Sequence, residues 1–304
     1  MNFKMEPYKK CWCGSGKSYK NCHMDFDLKV CEAAKKLNAL VPTRRMIKTE
    51  NDINGIRKAS IINNGLLDMI SERIKVGVST LEIDNWCCDY LKEHHAHSAD
   101  FNYQGYPKSI CTSINDVICH GIPNEKDILK DGDIINVDVT TEYKGYYADA
   151  SRMFMIGNVS QEAERLVRVT KECLEIGMAQ IKPFESQVRD IGIAIEKHAK
   201  ANGYSVVEEY CGHGVGYKMH EDPYVLHYAT YQPSVLLVPG MVITIEPMIN
   251  QGIKGIRFKI GDTWSSYTKD GKLSAQWEHT ILVTETGYEV LSKWKNLTFL
   301  ILKC

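Results

Sequence analysis

A mixed α/β or α+β fold with a small cysteine-rich module at its N-terminus is the architecture this sequence predicts, on three observations. Segments with apolar residues at helical spacing alternate with short strand-like runs through most of the chain. The 304 residues exceed the common size of one domain but suit a large domain of about 250 residues plus an appendage. Three of the eleven cysteines crowd into the first 22 residues.

Composition narrows the class. With 44% hydrophobic and 25% charged residues the chain can bury a sizeable core, which excludes wholesale disorder. A formal net charge of −1 excludes a surface uniformly shaped for nucleic acid, while leaving room for a local basic patch. The opening "MNFKMEPYKKCWC" lacks the apolar stretch of a secretory signal, and no run reaches the roughly 18 apolar residues of a membrane span. The expectation is a soluble, cytoplasmic protein without membrane contact. Its cysteines are then thiols or metal ligands, because that compartment keeps disulfides reduced.

Taken in order, residues 1–23 form the module. Residues 24–43 form a linker helix that stops at Val41-Pro42, since proline forces its predecessor out of helical conformation. Residues 44–304 read as one large domain. Its helical patterns are "INGIRKASIINNGLLDMISERI", "LEIDNWCCDYLKEHH", "QEAERLVRVTKECLEIGMAQI" and "SQVRDIGIAIEKHAKANG". Its strand-like runs are "DIINVDVT", "YYADASRMFMIG", "MVITIEPMI" and "SAQWEHTILVT". Helix pairs precede strand groups in both halves, a hint of internal duplication. The stretch "GHGVGYKMHEDP" reads as too glycine-rich for a helix and too irregular for a strand. The apolar tail "LTFLILKC" is expected to pack against the domain.

Within the module, "CWCGSGKSYKNCH" sets Cys11 and Cys13 one residue apart and follows them with the adjacent pair Cys22 and His23. These are the four soft donors of a closed tetrahedral zinc site. So small a module has little core, and metal binding of order 10 kcal/mol would supply most of its folding free energy. The embedded "GSGKS" is not a phosphate loop, because Cys11 stands where that pattern needs glycine and no strand precedes it. The segment resembles the SEC-C motif, C-x-C-G-S-G-x-x-x-K-x-C-[CH], at every fixed position. That resemblance implies a docking module, and Lys9, Lys10, Lys17 and Lys20 point it toward a ribosomal or acidic protein surface.

In "DIINVDVTTEYKGYYADASRMF", Asp138 and Asp149 are symmetric about Tyr143-Lys144, so a hairpin turning there sets them directly opposite one another. Two carboxylates that close repel unless a proton or cation lies between them. Asn136, Thr140, Tyr147 and Ser151 share their face by alternation. Glu246 ends an apolar strand before Pro247, Glu278 alternates with Gln276 and Thr280, and His213 is flanked by glycines. Singly, each carboxylate is best read as a solvent-facing position on a half-exposed sheet. Together they match the needs of a dinuclear centre, four carboxylates balancing two divalent cations, with Mn, Fe, Co and Zn all compatible.

The motifs "SICTSINDVICHGIP", "NVDVT", "YYADAS", "GHGVG", "MHEDP", "ITIEPM" and "SAQWEHT" resemble, in order and spacing, those of methionine aminopeptidases over about residues 44–292. The short interval from His220 to Glu246 is similar to the type I enzymes. The resemblance implies a pseudo-two-fold "pita-bread" fold and a metallo-aminopeptidase that hydrolyses the initiator methionine from nascent polypeptides ahead of a small second residue. It implies Asp138, Asp149, His213, Glu246 and Glu278 as ligands of two metal ions bridged by a hydroxide. It gives Glu246 the proton transfers, His220 and His120 contacts to substrate, and Tyr103, Tyr106, Cys111, Met219 and Trp264 the walls of a methionine pocket. Asp100 departs from the pattern where a small or apolar residue is expected, and is read as solvated. The expected partner beyond substrate is the ribosome, through the N-terminal module, and the expected state a monomer. The competing reading is a non-catalytic, ribosome-associated binding protein on the same fold.

Overall fold

The computed structural model describes residues 5–294. The apolar tail lies outside the described residues.

Helix α1 (Met24–Leu37) ends earlier than the proline predicts. Asn38 turns left-handed at φ 50° and sends its N–H to Ala34 and Lys35, so a local cap stops the helix before Pro42 can. Helices α2 (Glu50–Arg73) and α3 (Thr80–Glu93) each start in a reciprocal capping box, Thr49 with Asp52 and Ser79 with Glu82. Helix α4 (Gln161–Met178) is capped by Ser160, and α5 (Val188–Ala201) follows it and packs into the same core.

All pairings between named strands are antiparallel, which settles the layering as α+β. The first half is built on a hairpin of Ile134–Tyr143 and Tyr146–Met155, with Cys111–Ile114 beside its first strand. The second half is built on a five-stranded sheet, in which Gly212–Gly214 lies between Glu221–Val225 and Val242–Ile245, and His279–Val283 lies beyond. Helices α2 and α3 share one apolar core with the hairpin. Helices α1, α4 and α5 share another with the strands of the second half. One helix pair on one antiparallel layer, twice over, is the duplication the sequence hinted at.

The hairpin turns one residue later than symmetry of the aspartates demands. Tyr143 pairs with Tyr146, so Asp138 faces Ser151 and Asp149 faces Thr140. The turn residues Lys144 and Gly145 have φ of 53° and 83°. A tight hairpin turn needs positive φ at both central positions, and Gly145 takes one that Tyr143 would resist. The resulting offset of two residues preserves the face, so both aspartates still point the same way.

Two expected continuous strands are in fact broken, each at a glutamate. Val242–Ile245 stops before Glu246 and pairing resumes at Met248–Asn250; Ser274–Gln276 stops before Glu278 and pairing resumes at His279–Val283. At each break the chain leaves one sheet for another, since Met248–Asn250 pairs with Ser274–Gln276 while Val242–Ile245 pairs with His279–Val283.

The histidine-bearing segment, read as irregular, is a three-residue strand with a register shift. Its glycines are required by crowding. A Cβ on Gly212 would lie 2.5 Å from the Thr244 carbonyl oxygen, and one on Gly214 would lie 2.2 Å from that of Asp222.

The linker helix is not a tether. Val30 and Ala34 are part of the second-half core, and Asp27 takes a two-pronged ion pair from Arg44.

Candidate active site

The two halves meet at a cleft of about 400 Å³, and every cleft residue the sequence singles out lines it: Asp138, Asp149, His213, Glu246, Glu278, His120, His220, Tyr103, Tyr106, Cys111, Met219 and Trp264. The hairpin brings the aspartates. The second half brings His213 on its strand and the two glutamates at the strand breaks, where the backbone is released from the ladder and each side chain turns inward.

Hydrogen bonds stitch the halves together around these groups. Asn136 donates to the Gln276 carbonyl at 2.8 Å and to the Ser151 hydroxyl at 3.0 Å. The Thr280 hydroxyl donates to the Asp149 carbonyl at 2.7 Å, and the Glu278 N–H donates to the Ser151 carbonyl at 3.2 Å.

His213 is oriented by its own backbone. Its Nδ1 lies 3.0 Å from the Gly214 carbonyl, which can only accept, so Nδ1 carries the proton and Nε2 is the free lone pair. That Nε2 lies 3.5 Å from Glu246 Oε1 and 3.7 Å from Asp149 Oδ2. Donor atoms of Asp149, His213 and Glu278 all lie within 4.8 Å of one another.

Electrostatics at this cluster are those of carboxyl groups crowded together away from solvent. Desolvation raises Asp138 to about 7 and lifts Asp149, Glu246 and Glu278 well above the usual carboxylate range, with mutual repulsion adding to the last three. Burial holds His213 down near 3, with the neighbouring His220 adding to the effect. Asp149 Oδ1 and Glu278 Oε1 are buried with no hydrogen-bond partner. Buried acceptors are rarely left so. Oxygen donors facing one neutral imidazole nitrogen therefore fit a hard or borderline divalent cation.

Beside the cluster, Tyr106, Cys111, Met219 and Trp264 give an apolar, sulfur-containing wall, with the Tyr106 and Trp264 rings edge to face at 5.1 Å. His120 ends the strand Val117–Cys119 at φ 56°, a left-handed backbone that side chains other than glycine adopt at a cost. Desolvation lowers it to about 4. His220 stands exposed at the cleft mouth, its ring 4.3 Å from that of His213 and its Nδ1 2.9 Å from the Tyr103 hydroxyl.

Asp100 corrects the sequence reading. It is 7% exposed and lines the cleft, held by the Thr140 N–H at 3.1 Å, and burial pushes its carboxyl well above the usual range. Its loop folds back on the hairpin strand, with the Ala99 N–H on the Thr140 carbonyl, and this brings it inside.

Sequence reasoning also missed two supports. The Thr244 hydroxyl accepts from the His213 N–H at 2.9 Å and donates to Glu246 Oε1 at 2.8 Å, tying the histidine and the glutamate to one atom. His227, fully buried, accepts the Glu246 N–H through Nε2 at 3.1 Å. Thr244 was discoverable, lying two residues before Glu246 in the strand that ends at Ile245; His227 gave no local signal.

In the module, donor atoms of Cys11, Cys13, Cys22 and His23 also lie within 4.8 Å of one another. The Cys11 and Cys22 sulfurs are each 3.2 Å from His23 Nδ1, and those of Cys13 and Cys22 are 3.5 Å apart. Bonds of about 2.3 Å to zinc give tetrahedral edges near this size.

An antiparallel α+β scaffold that gathers buried carboxylates and one imidazole at the base of a cleft, beside an apolar pocket, defines a metal-dependent hydrolase. More particularly, the chain belongs to metallopeptidase family M24, whose profile matches residues 54–285. A SEC-C motif matches residues 9–25. The chain is 50% identical over 253 residues to the methionine aminopeptidase of Escherichia coli K12, covering 83% of this chain and 95% of that protein. It is 48% identical over 244 residues to methionine aminopeptidase A of a Synechocystis species, covering 80% and 96%. Its fold matches the crystal structure of methionine aminopeptidase from Rickettsia prowazekii with a TM-score of 0.79 at 42% identity, over 81% of this chain and 99% of that one.

Proposed function

We propose that this protein removes the initiator methionine from nascent polypeptides, preferentially when the second residue is small. The observation that carries the reading is the junction of the donor cluster with an apolar, sulfur-lined pocket in one cleft. A pocket of aromatic and sulfur side chains suits an unbranched thioether, and the adjoining oxygen and imidazole donors suit two divalent ions.

Asp138, Asp149, His213, Glu246 and Glu278 would hold those ions, with Co, Mn, Fe and Zn all compatible with the donor set. When bound, such a pair supplies Lewis acidity that polarises the carbonyl and acidifies a water. Glu246 would act in its ionised form, which bound cations favour, accepting the water's proton and returning it to the leaving amine. His220 would hydrogen-bond the scissile peptide and its tetrahedral intermediate, and His120 would contact the substrate within the same cleft. Tyr103, Tyr106, Cys111, Met219 and Trp264 enclose the methionine side chain.

Cys11, Cys13, Cys22 and His23 hold one structural zinc in the module of residues 1–23, which residues 24–43 join to a catalytic domain of residues 44–304. The four lysines around the module are all exposed, Lys9 beside the exposed Glu6, and would offer it a surface for the ribosome. No helix among the described residues is long and apolar enough to cross a membrane.

The test is methionine release from metal-stripped protein on Met-Ala-Ser and Met-Leu-Ser, with each metal restored singly. Metal-dependent cleavage of Met-Ala-Ser alone is expected. Absence of cleavage with every metal in a folded sample would overturn the assignment and leave a binding protein.

A further inference from the structure

A second cavity, of about 680 Å³, opens off the active cleft, and His220 and Tyr224 line both. One wall is the single turn Arg44–Met46 with Thr43 ahead of it; the other is the loop carrying Tyr217 and Lys218. A buried ion pair forms the floor between them. Lys48 reaches the Arg45 carbonyl at 3.1 Å on one wall and the Glu221 carboxylate on the other, and Glu221 in turn accepts the N–H groups of Tyr217 at 2.6 Å and Lys218 at 2.9 Å. The groove is thus braced from beneath and open above.

The first wall is anchored to the N-terminal region. Arg44 pairs with Asp27 of α1, and its guanidinium lies 4.5 Å over the Trp12 ring, between two residues of the cysteine cluster. Folding of the module and placement of this wall are therefore joined through one side chain.

We propose that this groove binds the part of a peptide substrate downstream of its second residue, and that it favours acidic over basic segments. The inference rests on the aminopeptidase reading. A substrate whose amine is fixed at the metal cluster must run outward past His220, and the groove begins where His220 stands. Its charge is complementary to an acidic chain: Lys48 and Glu221 cancel, leaving exposed Arg45 and Lys218 against one exposed carboxylate, Asp222. The exposed rings of Tyr217 and Tyr224 supply faces for the peptide to lie along.

The experiment compares kcat/KM of the metal-loaded, full-length protein on Met-Ala-Ser with two decapeptides that begin with the same three residues and continue in glutamate-rich or lysine-rich sequence. The acidic decapeptide is expected to exceed the basic one about fivefold, the size of one or two solvent-exposed charge contacts. The double variant R45E/K218E should reverse that order, and R44A should shrink the advantage of the acidic decapeptide over the tripeptide. Equal values for both decapeptides, or an order unchanged in R45E/K218E, would overturn the groove. Failure to release methionine even from the tripeptide would instead overturn the aminopeptidase reading on which the groove depends.

Discussion

The molecule gathers metal-type donors twice, in opposite ways. At the N-terminus, three sulfurs and an imidazole sit in a segment with little core of its own: Cys11 and Tyr19 are buried, while the other three donors of the cluster are half-exposed. In the cleft, four carboxylates and an imidazole are held by two separate apolar cores and a lattice of hydrogen bonds. On the zinc-site proposal, the first cluster takes the order of its chain from the metal. The second is held together by the fold and stores electrostatic repulsion that a metal relieves.

Predictions follow from that contrast. Largest in effect, Glu246→Gln should lower kcat on Met-Ala-Ser by about 10³-fold, the middle of the range for a lost general base, with the circular dichroism spectrum unchanged; near-wild-type turnover would remove Glu246 from the proton transfers. Chelation should abolish turnover and also unfold the module locally. Hydrogen exchange would then show loss of protection across residues 9–25 with the hairpin of residues 134–155 still protected, and uniform loss across both would erase the distinction.

The stripped cleft also makes a pH prediction. A carboxyl raised in the folded state from 3.8 to about 7, as Asp138 is, supports the fold at low pH and withdraws that support as pH rises through that interval. Stripped protein should therefore lose stability toward neutral pH, metal should restore it, and metal uptake should release protons, measurable by calorimetry in buffers of different ionisation enthalpy. Smaller again, Tyr103→Phe should reduce kcat about three- to tenfold, as expected for one lost hydrogen bond to His220. A change confined to KM would make Tyr103 a pocket wall only. Smallest, Cys11→Ser with Cys13→Ser should leave the tripeptide rate within about twofold while weakening ribosome association in a sedimentation assay. Loss of tripeptide cleavage would show that the module carries the stability of the catalytic domain.

The hairpin part of the site was legible because Asp138 and Asp149 are polar residues in apolar strands, where alternation assigns a common face without knowledge of the fold; the rest of the donor set was implied by the family resemblance. Asp138 and Asp149 kept their common face even though the turn fell on Lys144-Gly145, since an even offset preserves parity. What escaped was decided by contacts distant in sequence. Asp100 is buried because its loop folds onto Thr140, and His227 matters because of Glu246, nineteen residues on. The breaks at Glu246 and Glu278 escaped because the exchange of sheet partners there has no signature in periodicity.

The seam between the halves has a mechanical consequence. The hairpin carries two of the cleft's acidic donors and the opposite half carries the rest, so the width of the seam works as a caliper on whatever the cleft holds. Asn136 on Gln276 and Thr280 on Asp149 are the screws of that caliper. Loosening them would move the aspartates as a block against the histidine and glutamates, altering the gap without touching a single donor atom.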